Sequence, residues 1–285
     1  MNNILLCCDL DRTVLPNGNA SESPGVRELF ADLIKHIGLT LVYVSGRDIH
    51  LLQEAIDEYH IPVPHYAIGD VGTTMYRITE NAWQPITEWS MHIGEDWQQQ
   101  HADTLQEYLR DLAVLQLQEP QKQNIHKLSY YVATDVPEQS LLQDIRQRLD
   151  EHQIKATIVY SIDETTDTGL VDVLPQRASK FHAIEFLIEH FGYSLAKTIF
   201  AGDSGNDLPV LISHIPAVLV NNAQVSIKTT ARRLADKQGL ARQLYVARGG
   251  FYGLNGNYTA GILEGLIHFH PELRSTLVAL MTGED

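Results

Sequence analysis

The chain has 285 residues, a formal net charge of −15, 44% hydrophobic and 20% charged residues. That composition describes a globular protein of one large or two smaller domains and excludes a disordered chain. The acidity speaks against a broad nucleic-acid footprint, which needs patches of Lys and Arg, yet leaves a small phosphorylated substrate open to local lysines, backbone N–H groups and a metal.

The first element is an apolar run from Ile4 to Cys8 that ends in two carboxylates, Asp9 and Asp11. Its length suits a buried parallel strand, and α/β sheets place their chemistry just beyond such strand ends. Cys7 and Cys8 are the only cysteines. Adjacent on a strand they face opposite sides and cannot readily bridge, so reduced thiols and a cytoplasmic location are expected. The N-terminus lacks a basic signal-peptide lead, and no apolar run reaches membrane-spanning length.

Pro16 to Asn19 read as a loop, and Ser23-Pro24 as the N-cap and first turn of an amphipathic helix ended by Gly38. Leu39 to Val44 form a second buried strand that stops at Ser45-Gly46-Arg47. Asp48 is placed to cap a helix through Tyr59. His65 to Ile68 give a third strand, which completes a βαβαβ unit. Short strands at Thr73–Tyr76 and Trp83–Ile86 follow, then a helix over residues 95–112, a strand over 127–132 and a helix over 137–149. Strands at 154–160 and 169–174 close this section, which reads as an α+β insertion. From Ser179 the α/β rhythm resumes: a helix over 180–190, a strand over 198–201 ending in Gly202-Asp203-Ser204-Gly205-Asn206-Asp207, a strand over 217–220 and further helices. The expected fold is therefore α/β, a Rossmann-like parallel sheet formed by 1–82 and 179–285 with an inserted α+β domain at 83–178.

The strand exits gather Asp9, Asp11, Ser45, Asp203 and Asp207, with Lys180 opening a helix nearby. Acids for a hard cation, one hydroxyl and one ammonium suit magnesium and a phosphate. A carboxylate nucleophile that forms an aspartyl-phosphate is consistent with that set.

These motifs resemble the haloacid dehalogenase superfamily of phosphohydrolases. Asp9-Leu10-Asp11-Arg12-Thr13 matches its first motif, Ser45 its second, Lys180 its third and Gly202-Asp203-Ser204-Gly205-Asn206-Asp207 its fourth. The resemblance implies Asp9 as nucleophile and Asp11 as the acid that protonates the leaving oxygen and then activates water. It implies Ser45, with Gly46 and Asn206, as phosphate-binding, and Lys180 as the neutralising cation. Magnesium would be held by Asp9, Asp203 and the Asp11 carbonyl, with Asp207 on the water shell or orienting Lys180.

The insertion lies where that superfamily carries its larger cap, and here the chain resembles the sucrose-phosphate phosphatases. Asn124 and Lys127 in Asn124-Ile125-His126-Lys127-Leu128, and Asp172 and Gln176 in Val171-Asp172-Val173-Leu174-Pro175-Gln176, correspond to their sugar contacts. The resemblance departs at Ser179, where those enzymes usually carry Asn. Sucrose 6-phosphate is therefore the expected substrate, with mannosylfructose phosphate or another glycosyl phosphate as the alternative. A sugar phosphomutase and a non-catalytic partner of a sugar-phosphate synthase are the rival functions, and docking on such a synthase is compatible with catalysis. Trp83, Trp89 and Trp97 are expected to fill the cap core. The Gly249–Gly253 stretch lacks Walker spacing and reads as a loop near the core mouth. No zinc pattern or Ser-hydrolase elbow is present.

Overall fold

The opening strand lies at the centre of its sheet, not at an edge. A computed structural model describes residues 3–80, 82–163 and 166–283. The chain divides into two compact units. One comprises Met1–Gly72, Tyr76–Gln84 and Lys180–Asp285; the other Thr73–Met75 and Pro85–Ser179.

In the first unit β1 (Leu5–Cys8) is followed by α1 (Val26–Ile37), β2 (Thr40–Val44), α2 (Ile49–Tyr59) and β3 (Tyr66–Gly69). All residues of these three strands are buried. That is why they read as continuous apolar runs: helices cover both faces of a parallel sheet. Asp48 caps α2 as expected, accepting from the backbone N–H of His50 at 2.9 Å and Leu51 at 3.0 Å. Ser23 does not cap α1. Its hydroxyl accepts from the Asn255 backbone N–H, and the helix instead begins after Gly25 in the left-handed region, at φ 69°. β4 (Thr74–Thr79) and β5 (Ala82–Pro85) continue the sheet beyond β3.

The second unit contains α3 (Thr87–Gly94), α4 (Ala102–Leu109), β6 (Gln116–Leu117), β7 (Leu128–Ala133), α5 (Glu138–Glu151), β8 (Ala156–Asp163) and β9 (Thr168–Pro175). Its antiparallel sheet has the order β6-β7-β9-β8. Alternate residues Leu128, Tyr130, Val132, Val171 and Val173 turn to one face and pack with Leu105, Leu109, Leu141, Ile145 and Leu149. The expected continuous helix over 95–112 is broken. Gln98 and Gln99 adopt positive φ after a single tight turn at Glu95–Trp97, because the polar Gln98-Gln99-Gln100 run has no apolar face to bury. Trp89 and Trp97 are fully buried, as expected of core-filling indoles, but Trp83 does not join the core of the inserted unit: it belongs to the first unit and packs, partly buried, against that core.

The first unit resumes with α6 (Lys180–Phe191), β10 (Thr198–Gly202), α7 (Leu208–Leu211), β11 (Ala217–Leu219), α8 (Val225–Lys237), β12 (Leu244–Val246), α9 (Thr259–Phe269) and α10 (Arg274–Thr282). The sheet order is β12-β11-β10-β1-β2-β3-β4-β5, and the six strands from β12 to β3 pair in parallel. Cys8 is in register with Ala201 on one side and Tyr43 on the other. The three strands therefore end together, and the residues that follow them share one rim.

Helix α9 lies close on β11 because it carries Gly265. A Cβ there would stand 2.2 Å from a methyl carbon of Val218. Gly265→Ala is expected to destabilise the protein by about 1–3 kcal/mol, since overpacking outweighs the helix-propensity gain of about 1 kcal/mol. Urea unfolding measures it; an unchanged midpoint would mean that the helix can back away without loss.

Candidate active site

Asp9 is the first residue beyond β1, and its N–H still bonds to the Ala201 carbonyl at 2.9 Å. That bond extends the ladder by one step and fixes the carboxylate over the rim. The Oδ2 atom of Asp9 accepts from the Thr13 hydroxyl at 3.0 Å, and Oδ1 from Lys180 Nζ at 2.6 Å. Lys180 Nζ also donates to Asp207 Oδ1 at 2.7 Å. Positions 171 residues apart in the chain are thus joined by one buried ammonium.

Asp207 in turn closes the turn after β10. Its Oδ2 accepts from the N–H groups of Asp203 and Ser204, both at 3.0 Å, and the Ser204 hydroxyl completes a capping box. Gly202 is what makes room for it: a Cβ at that position would lie 2.6 Å from the Asp207 carboxyl carbon. A larger residue before Asp203 would displace the carboxylate that holds Lys180.

Asp203 contributes differently. Its Oδ2 faces Arg12 Nε at 3.4 Å, whereas its Oδ1 is buried and has no hydrogen-bond partner among the described residues. Asp11 leans away from this cluster, clamped by Arg47 through Nε at 3.0 Å and a terminal nitrogen at 2.7 Å, with Asn17 donating at 2.7 Å. Ser45 is buried, and its Oγ accepts from the Arg47 N–H at 3.2 Å. Gly46 and Asn206 are exposed on the rim; Asn206 is tied in by the Ser204 hydroxyl at 2.6 Å.

Burial dominates the electrostatics. It pushes the Asp9 carboxyl up to about 7; Lys180 opposes this, and Asp207 and Asp203 reinforce it. Burial also raises Asp203, against the pull of Arg12. Burial alone would lower Lys180, but Asp207 and Asp9 reverse the sign and keep it charged. For Asp11 burial acts upward, yet Arg47 and Asn17 prevail and hold the carboxyl below its ordinary value. Carboxylate oxygens of Asp9, Asp203 and Asp207 lie within 4.8 Å of one another. Three buried acids against one buried ammonium leave an excess of negative charge, and the unpartnered Asp203 oxygen is a hard donor. A divalent cation fits that set, with Asp9 and Asp203 as its carboxylates. Asp207 fits less well as a direct ligand, since both its oxygens are engaged.

The sugar-contact candidates lie in the second unit. The Asn124 amide is occupied on both sides, donating to the remote Thr73 Oγ1 at 2.8 Å and accepting from the His126 N–H of its own turn at 2.8 Å. Lys127 is buried and pairs with Asn124 through two backbone bonds of 3.1 Å. Asp172 accepts from the Ser129 hydroxyl across the β7–β9 ladder. Gln176 is exposed just past β9, and Ser179 is half-buried immediately ahead of Lys180 in the chain. Arg12, Arg47 and Asn17 carried no expected role. The signal for Arg47 was its place directly after Ser45-Gly46; for Arg12, its place between Asp11 and Thr13, where it takes a positive φ of 60°.

The glycine-rich turn closes on the core. Gly249 and Arg248 donate backbone N–H groups to buried Glu264, and Gly249, Gly250 and Gly253 all take positive φ. Cys7 and Cys8 are free, buried thiols with pKa values raised by burial.

Comparison with known proteins agrees with this geometry. The sequence model of the sucrose-6F-phosphate phosphohydrolase family matches residues 2–270. A HAD-like hydrolase of Nitrosococcus oceani is 51% identical over 273 residues, covering 95% of this chain and 73% of the relative. The mannosylfructose-phosphate phosphatase of Agrobacterium fabrum is 27% identical over 93% of this chain and 96% of its own. Among solved structures, the sucrose-phosphatase of Synechocystis sp. PCC6803 in complex with sucrose and phosphate superposes with a TM-score of 0.68 at 25% identity, covering 95% of this chain and 99% of that one. With four motifs gathered at one parallel-sheet rim, the chain belongs to the sucrose-6F-phosphate phosphohydrolase family of haloacid dehalogenase-like phosphatases, which are phosphoric monoester hydrolases.

Proposed function

We propose that the protein is a magnesium-dependent sugar-phosphate phosphatase whose substrate is sucrose 6-phosphate. The observation that carries the chemistry is the buried Asp9–Lys180–Asp207 chain beside the open Asp203 oxygen. Asp9 attacks phosphorus, the bond from phosphorus to the sugar oxygen breaks, and Asp11, which takes up a proton against the pull of Arg47 once the phosphate dianion is bound, gives that oxygen its proton. Asp11 then takes a proton from water, which attacks the aspartyl-phosphate, frees inorganic phosphate and restores Asp9. Ser45 binds a phosphoryl oxygen in this reading, and Lys180 balances the charge on Asp9 as it reacts. Asp9, Asp203 and the Asp11 carbonyl would hold magnesium, which would supply further neutralisation of the phosphoryl oxygens.

Substrate choice rests on the family match and on the similar sucrose-phosphatase, with Asn124, Lys127, Asp172, Gln176 and Ser179 as the proposed sugar contacts. The similar mannosylfructose-phosphate phosphatase favours mannosylfructose phosphate as the second reading. Phosphate release from sucrose 6-phosphate, mannosylfructose phosphate and glucose 6-phosphate, each with magnesium and with EDTA, tests both. Turnover in EDTA would overturn the metal requirement. Preference for another ester would overturn the substrate alone, and an isomeric sugar phosphate as product would mean a mutase. Recovery of a synthase bound to a chain that is inactive on every ester would favour the binding role.

Arg47 offers a separate check on Asp11. Its two-pronged grip orients the carboxylate in a way a point charge does not reproduce. Both Arg47→Ala and Arg47→Lys are expected to lower kcat by about 10- to 100-fold, the scale of a small misplacement of a catalytic group. Unchanged kcat in both would show that Asp11 leaves Arg47 before the chemistry.

A further inference from the structure

A cationic site lies on the outer edge of the sheet, apart from the acidic Asp9 centre. A cavity of about 550 Å³ is bounded by α8, β12 and α9 and lined by Arg232, Arg242, Arg248, Asp236, Tyr245 and His268, among others. None of Asp9, Asp11, Ser45, Lys180, Asp203 or Asp207 lines it. Between Asp207 and Glu264 the chain holds six Lys and Arg but a single acid, Asp236, although it carries 36 acids against 21 Lys and Arg overall. Among the described residues, no carboxylate is ion-paired with Arg232, Arg242 or Arg248. Three guanidinium groups thus share a concave surface with one carboxylate. No direct ion pair among the described residues relieves their mutual repulsion, in an otherwise acidic protein.

The remaining wall is aliphatic at Ala235, Ala241, Leu244 and Val246, and aromatic and fixed at Tyr245 and His268. Tyr245 and His268 stack with centroids 4.2 Å apart, and the Tyr245 hydroxyl donates to Glu264 at 2.8 Å. Glu264 forms no ion pair with the arginines: it is buried and accepts from the Tyr245 hydroxyl and from the backbone N–H groups of Arg248 and Gly249. The volume suits a small organic molecule, and guanidinium forks match phosphate oxygens in pairs. We propose that this cavity is a second anion site that binds a small phosphorylated metabolite independently of the Asp9 centre. Phosphate would sit among the arginines and the organic part against the Tyr245–His268 pair.

The test follows the His268 ring resonance, assigned with His268→Gln, in full-length Asp9→Asn protein with EDTA, so that no probe is consumed. Inorganic phosphate, glucose 6-phosphate and ADP are titrated separately. At least one should move the resonance saturably, with at least tenfold weaker binding in Arg232→Gln/Arg242→Gln on the same background. Phosphate alone acting as well as the esters would identify a free-phosphate site, and ADP acting best would identify a nucleotide one. Arg242→Lys keeps the charge and should retain more affinity than Arg242→Gln, which guards against a folding artefact. A resonance that none of the probes moves, or affinities unaltered by the arginine substitutions, would overturn the site. With Asp9 intact, the double variant should keep its basal turnover.

Discussion

Asp9→Asn is expected to remove about four to six orders of magnitude from kcat, the range seen when one member of a hydrolase's catalytic triad is deleted, the nucleophile at the upper end. The change is nearly isosteric. The amide oxygen can still accept from Lys180, which sits 2.6 Å away, and the Thr13 hydroxyl can rotate to accept from the new amide nitrogen. What is lost is the charged oxygen that attacks phosphorus. A stability measurement separates this from misfolding. Burial pushes Asp9 up to about 7 from 3.8, so the folded state binds its proton more tightly than the unfolded one. The wild type, without metal, should therefore lose stability as pH rises from about 4 to about 7, and the Asn variant should lack that contribution. Above pH 7 the variant should be at least as stable as the wild type in EDTA. Wild-type turnover by Asp9→Asn in magnesium would sink the nucleophile assignment.

Much of this centre was legible because the physics is local to strand ends. Ile4–Cys8 is apolar because β1 is covered on both faces, and the first polar residue after such a run must emerge at the rim. The same logic located Ser45 and Asp203, and the parallel register brings them level. Lys180 was legible as a motif member, but its bond to both Asp9 and Asp207 follows from the tertiary fold. Arg47 escaped because a guanidinium's partner is set by where β2 ends relative to β1, not by its neighbours in sequence. Ser23 looked like a cap because Ser-Pro so often is one, and a remote backbone donor, Asn255, took its hydroxyl. The break at Gln98-Gln99 was hidden because glutamine has good helix propensity, and only the missing apolar face argued against a helix there. β12 has three residues, too few to show a period, yet it carries the edge on which the arginine-lined cavity forms.

Lys180→Met is the harsher substitution, because it acts on folding and catalysis together. Lys180 is buried and donates to two buried carboxylates, at 2.6 Å and 2.7 Å. Methionine keeps much of the stem's volume and removes the charge, which leaves Asp9 and Asp207 facing each other with Asp203 alongside. Breaking a buried pair by deleting one partner costs about 3–5 kcal/mol, because the remaining charge is uncompensated. The cost should depend on pH. Without the ammonium, nothing opposes the repulsion of Asp9 by its neighbouring carboxylates, so its folded pKa, already raised, climbs further above the unfolded one. A carboxyl with a raised folded pKa destabilises the fold once pH exceeds its unfolded pKa, and increasingly so up to the folded pKa. The deficit relative to wild type should accordingly be smaller at pH 5 than at pH 8 when urea unfolding is measured in EDTA. Magnesium should restore part of the deficit at pH 8, since a cation fits the same oxygens, but not the turnover, which should fall by at least about 100-fold for loss of a preorganised charge. A deficit equal at both pH values would mean that Lys180 supports the fold through packing, and that Asp9 and Asp207 are not coupled through it.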